Sequence, residues 1–181
     1  MNKYFTLLSV FAIFFISCED DKELNEGEVD INAIVGTWTF TDVDVDIETS
    51  SDLTAGVPIN VANTSLDSSN TDATVTFNAD GTYTAQGNVT LVTTQTGLGS
   101  DSQTQNVDGT SGQYTISGRI ITFTDSDFLS IGRELEDLTP DYSIGTLNGT
   151  EFILNVTAEG NVDFFGSQLD LDATGIIELT K

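Results

Sequence analysis

Residues 36–48 read GTWTFTDVDVDIE. Trp38 and Phe40 are followed by Val43, Val45 and Ile47, and these apolar residues are set against Thr39, Asp42, Asp44, Asp46 and Glu48. Successive side chains of a strand point to opposite faces, so the stretch predicts one long strand with an apolar inner face and an acidic outer face. The two halves are out of phase by one residue. An extra residue at Thr41 or Asp42, a β-bulge, brings both apolar sets to the same side.

The same alternation recurs along the chain. TVTFNADGTYTAQG, residues 74–87, sets Asn78-Ala79-Asp80-Gly81 between two alternating runs, which predicts a hairpin with Gly81 in the left-handed conformation that glycine adopts without strain. GQYTISGRIITFT turns at Ser117-Gly118, SIGTLNGTEFILNV turns at Asn148-Gly149, and ATGIIELTK closes the sequence as a further strand. Two stretches break the rhythm. Residues 49–71 and 94–112 are rich in Ser, Thr, Gly, Asn and Asp and read as long loops or loosely paired edge extensions. Residues 127–141, DFLSIGRELEDLTPD, have room for one short helical turn ended by Pro140.

Lys, Arg, Met and Gln are scarce, and no long amphipathic helix or internal repeat is present, so α/β and solenoid folds are disfavoured. The fold class is all-β, an antiparallel up-and-down meander. Such a sheet must dispose of its edges, and closure into a barrel of about eight to ten strands does so completely; a β-sandwich is the alternative.

In order, IVGTWTF, VTFNADGTYT, GQYTISGRIITFT and IIELTK resemble the lipocalin-like domain of secreted bacterial lipoproteins, over most of the chain from Ile34 to Lys181. Gly36 and Trp38 form its most specific element. The resemblance implies that Trp38 plugs the closed end of the barrel under a stacked cation, which Arg119 or Arg133 would supply. Phe77, Tyr83, Tyr114, Phe123, Phe152 and Ile153 are the candidates to line the interior, either around one small apolar ligand or packed against one another. Cys18 is the sole cysteine, so the disulfide of secreted eukaryotic lipocalins has no counterpart, and the resemblance carries over architecture and no particular ligand.

The N-terminal stretch reads as an address. Lys3 precedes an apolar run from Tyr4 to Ile16, too short to span a bilayer and suited to the core of a signal peptide over residues 1–17. Ile16-Ser17-Cys18 resembles the bacterial lipobox, which implies that Cys18 becomes the acylated first residue. Residues 18–31 then form an acidic tether, too polar to bury surface, before a β domain over residues 32–181. Glu19, Asp20 and Asp21 resemble the export signal of Bacteroidota-type surface lipoproteins, which implies exposure on the outer membrane; a domain facing the periplasm is the alternative. The membrane is met through the lipid alone.

Charge and residue usage narrow the function. The sequence holds 29 Asp and Glu against 5 Lys and Arg, a formal charge of −24, so nucleic acid is excluded as a partner. There is no histidine, which excludes Ser-His-Asp and Cys-His chemistry and histidine-bound zinc. Carboxylate catalysis needs an acid in an apolar pocket, whereas the acids here lie in polar runs. No catalytic residue, cofactor or metal ligand is therefore assigned. The row Asp42, Asp44, Asp46 and Glu48 poses the question of calcium, which takes six to eight converging oxygens that a flat row does not supply; it reads as a solvated outer face. Phe164-Phe165 places one ring toward solvent or the barrel mouth. The expectation is a monomeric, non-catalytic, lipid-anchored binder of a small apolar ligand or an envelope component. The alternative is an adhesive surface module acting through acidic loops.

Overall fold

The computed structural model describes residues 29–54, 57–124, 138, 140–164 and 167–181. Cys18, the signal peptide, most of the tether, Arg133, Phe165 and nearly all of residues 127–139 lie outside them. Asp30, expected near the end of the tether, instead begins the folded part: its carboxylate accepts from Asn32 N at 2.9 Å and caps α1 (Ile31–Ile34).

Eleven strands follow: β1 (Gly36–Thr54), β2 (Val57–Thr71), β3 (Thr74–Phe77), β4 (Thr82–Gln86), β5 (Asn88–Gln95), β6 (Gly99–Asn106), β7 (Ser111–Ser117), β8 (Ile120–Thr124), β9 (Asp141–Leu147), β10 (Glu151–Phe164) and β11 (Ser167–Thr180). Every pairing is antiparallel. The order β11-β10-β9-β8-β7-β4-β3-β1 closes on itself through a β1–β11 pairing, a ring of eight strands, and β2, β5 and β6 extend the sheet beyond β1.

The chain crosses this sheet as a simple meander. β2 with β3, β4 with β5, and β6 with β7 are each one pass, interrupted at Asp72-Ala73, at Gly87 and at Val107–Thr110. The interruptions are neighbours: Phe40 N donates to Ala73 O at 3.0 Å, Asp72 N to Asn88 O at 3.0 Å, and Val107 N to Gly87 O at 2.9 Å. With the β1 register shift between Phe40 and Asp42, they form a crease across four strands. Bulges bend strands and raise twist, which lets a six-stranded part of the sheet, β10-β11-β1-β2-β5-β6, depart from the closed ring. Carboxylates take up amides along the crease, Asp72 from Asn88 N at 2.6 Å and Asp108 from Gly87 N at 2.7 Å. Gly87 has φ +100, and a Cβ there would sit 2.5 Å from Asp72 O, so only glycine fits.

The expected loops at 49–71 and 94–112 are therefore mostly strand. They lack clean alternation because Ser, Thr, Asn, Asp and Gln dominate, with only scattered apolar residues such as Ile59, Val61 and Leu66, and neighbours rather than pattern hold them extended. β6 is the edge strand, its side chains almost all exposed, but it is paired with β5 along its whole length without a register shift, so the loose pairing expected there is not found.

The closed ring is filled by its own side chains. Trp38, Phe40, Phe77, Tyr83, Tyr114 and Phe152 are all buried. Phe77 lies at the centre, with ring centroids 5.1 Å from Tyr114 and 6.0 Å from Phe152, and Phe123 stands edge-on to Tyr83 at 5.4 Å and to Tyr142 at 5.3 Å. Such edge-to-face contacts stabilise beyond their area alone. Burial pushes the Tyr142 hydroxyl far above its ordinary range, with Tyr83 adding to the shift, so it stays protonated. Ile153 does not join this lining. In the run Phe152-Ile153-Leu154 two side chains face inward, and Ile153 is turned outward between Thr146 and Glu178.

Candidate functional site

One end of the ring is shut by a device built around Trp38. The indole is fully buried, donates its Nε1–H to Ile34 O at 2.7 Å and packs on Phe152 with centroids 5.4 Å apart. α1 exists to present that carbonyl: Ile34 ends the capped turn and is itself buried. Lys181 covers the other face. Its Nζ stands 4.2 Å from the ring centroid and donates to Val35 O at 3.1 Å and to Ala33 O at 3.3 Å. The ammonium thus joins a cation–π contact to two carbonyls left open beside the short helix. Gly36 has φ +130, and a Cβ there would meet Lys181 Cε at 3.1 Å, so the glycine leaves room for the lysine stem.

Trp38 is buried beside Gly36, and the cation over its ring is not Arg119. That guanidinium donates from Nε to Ile144 O at 2.7 Å and from Nη2 to Gly145 O, and so fastens β9 to the β7–β8 turn. Arg133 lies outside the described residues. Lys181 reaches the indole because β11 pairs with β1 in the register Thr39 to Thr180. The signal in the sequence was the closing strand IIELTK, read together with the partner that closure gives it.

The acidic row lies on the outer wall as expected. Register sets its members opposite further acids: Asp42 faces Glu178, Asp44 faces Asp67 and Glu48 faces Asp172, which in turn faces Glu159. Partial burial raises the pKa of Asp44, and Asp67, Asp46 and Asp42 raise it further. A raised carboxylate disfavours its own ionisation, so this charge opposes folding at neutral pH and the penalty fades as pH falls toward the acid's range. The rows run side by side, and no cluster of acids placed to hold a metal ion occurs among the described residues.

Beyond the aromatic core the inward face continues along the six-stranded part of the sheet. Val45, Ile47, Leu66 and Leu91 are buried there, and Ala158 and Ala173 continue this floor onto β10 and β11. Further out, Val162 opposes Leu169 and Gly160 opposes Leu171, all partly exposed. An apolar surface that begins on a filled core and ends partly open is where a small molecule can replace water.

The sequence model of the lipocalin-like domain family matches residues 34–154. The chain belongs to the lipocalin-like domain family. Lipocalin-like domains are in general non-catalytic binders of small hydrophobic molecules, and the closed antiparallel ring of eight strands is consistent with their fold. The match ends in β10, and the last lipocalin-like elements, the rest of β10 and all of β11, follow from the β1–β11 closure. No curated protein matches the chain in sequence.

Proposed function

We propose that this chain is a lipid-anchored envelope lipoprotein whose lipocalin-like domain binds a small apolar ligand or an envelope component and performs no catalysis. The observation that carries the reading is the inward apolar face continuing past a core that is already full. A ligand held there sits above the aromatic cluster, against Leu171, Leu169 and Val162, and not inside the ring. The aromatic packing fixes that floor and leaves specificity to the outer part of the sheet.

The anchor is supported by the sequence alone: a short apolar run, the lipobox-like Ile16-Ser17-Cys18 and the acids from Glu19. Acyl chains contribute about 0.8 kcal/mol per buried CH₂, and two or more chains make attachment stable. The acidic outer wall would be repelled by anionic headgroups, so the domain would stand off the bilayer to which its lipid holds it. Outer-leaflet display agrees with the acids after Cys18. The adhesive alternative has less support, since the stretches read as acidic loops are strands.

Two measurements test the proposal. The purified domain should melt several degrees higher with a ligand from a panel of long-chain alcohols, sterols and fatty acids, because binding only the folded state stabilises by about 2.7 kcal/mol at one hundred times Kd. A panel without effect, together with a calcium-dependent shift, favours the adhesive module instead. In cells, Cys18→Ala should abolish incorporation of a clickable palmitate analogue and leave unprocessed or soluble protein. Labelling that persists in the mutant removes the anchor.

A further inference from the structure

Register sets three rows of side chains on the inward face where β2, β1, β11 and β10 lie side by side. The first row is Thr64, Ile47, Ala173 and Ala158, and the second is Ala62, Thr49, Leu171 and Gly160. In the third, Ile59 stands opposite Ser51 and Leu169 opposite Val162. Strands lie about 4.8 Å apart and successive inward residues about 7 Å apart, so Thr49 is within about 8 Å of Ser51, Thr64 and Leu171, the reach of one small molecule. Alanine and glycine make the floor of this patch shallow, and Thr49, Ala62 and Leu171 are partly exposed in it. Besides tyrosine, the buried hydroxyl side chains among the described residues are Ser51, 3 % exposed, and Thr64, 9 % exposed, and both stand in these rows. Neither hydroxyl has a hydrogen-bond partner among the described residues. The acids of the four strands alternate to the outer wall, so no described side chain of the patch is charged.

We infer that the patch takes an amphiphile with an uncharged hydrogen-bonding head, a hydroxyl or a carbonyl, held on the line of hydroxyls Ser51, Thr49 and Thr64 with its chain against Leu171 and Ala173. This rests on the reading of the domain as a binder of small apolar molecules and narrows the ligand by its head. A buried hydroxyl without a partner costs free energy that a neutral polar head restores. A carboxylate or an ammonium would leave water for a face that offers no opposite charge. The formal charge of −24 draws an amine toward the chain from outside. An amine that nevertheless binds more weakly than the matching alcohol therefore reports on the patch itself.

Titration calorimetry of the intact protein with decanol, decylamine and decanoate, below their micellar concentrations and at about 150 mM salt, separates the cases. Decanol should bind at one site at least about tenfold tighter than either ion. The double variant Ser51→Ala with Thr64→Val keeps the volume of the patch nearly unchanged and should weaken decanol at least about tenfold. Leu171→Thr should weaken every ligand that binds. Without ligand, the double variant should melt no lower than the parent, because it gives up no hydrogen bond. A lower melting point means that the hydroxyls serve the fold and overturns the site. An ion bound as tightly as decanol, or an unchanged decanol affinity in the double variant, overturns the neutral-head assignment and leaves the apolar binder standing. Failure of all three ligands to bind overturns the binder itself.

Discussion

Trp38→Ala is expected to unfold the domain or bring it to the edge of unfolding. The substitution empties a fully buried site, removes the Phe152 contact, leaves Ile34 O without the indole donor and takes the ring from under the Lys181 ammonium. Loss of a buried aromatic costs about 3–5 kcal/mol, against roughly 5–15 kcal/mol for a whole domain. Circular dichroism during heating or urea titration reads the loss. Trp38 is also the only tryptophan, so the unmutated protein reports on the same site. Its emission should be blue-shifted and poorly quenched by acrylamide, and should shift red cooperatively in denaturant. Native emission that is red-shifted and freely quenched rules out the plug.

Gly175→Ala should be the most damaging single methyl group in the closing seam. Gly175 lies opposite Val45 on β1 and Val156 on β10, and a Cβ built on it would stand 2.2 Å from Asp44 O and 2.6 Å from Val45 Cα. Those obstacles are backbone and cannot rotate away, so β11 must move off β1 where the ring closes. Overpacking of this kind costs about 1–3 kcal/mol and most when the backbone is the obstacle, and the melting temperature should fall by roughly 2–12 °C. Gly149→Ala is the control, with nothing within 4 Å of its added methyl, and should stay within about 0.5 kcal/mol. If the two variants melt within a degree of each other, the seam is not as close as its geometry shows.

The strand 36–48, its inner and outer faces and its bulge were legible because side-chain alternation is a local property with a period of two. The turns at 78–81, 117–118 and 148–149 were legible for the same kind of reason, since glycine and asparagine act on the few residues around them. From these local patterns an all-β antiparallel meander could be read. Residues 49–71 and 94–112 were not legible as strands, because polar residues dominate them without a clean period of two and the ladders to β1, β4 and β5 hold them extended. Ile153 was misjudged because consecutive apolar residues cannot both face a core, and pairing with β9 and β11 decides which one does. The plug's cation was decided furthest from the local sequence: Lys181 bonds carbonyls 146 and 148 residues away. Which cation meets Trp38 depends on the register of every pairing around the ring, and one residue of slip anywhere would move β11 past β1 and carry the lysine off the indole. The tertiary structure fixes that sum, whereas each local pattern fixes only one of its terms.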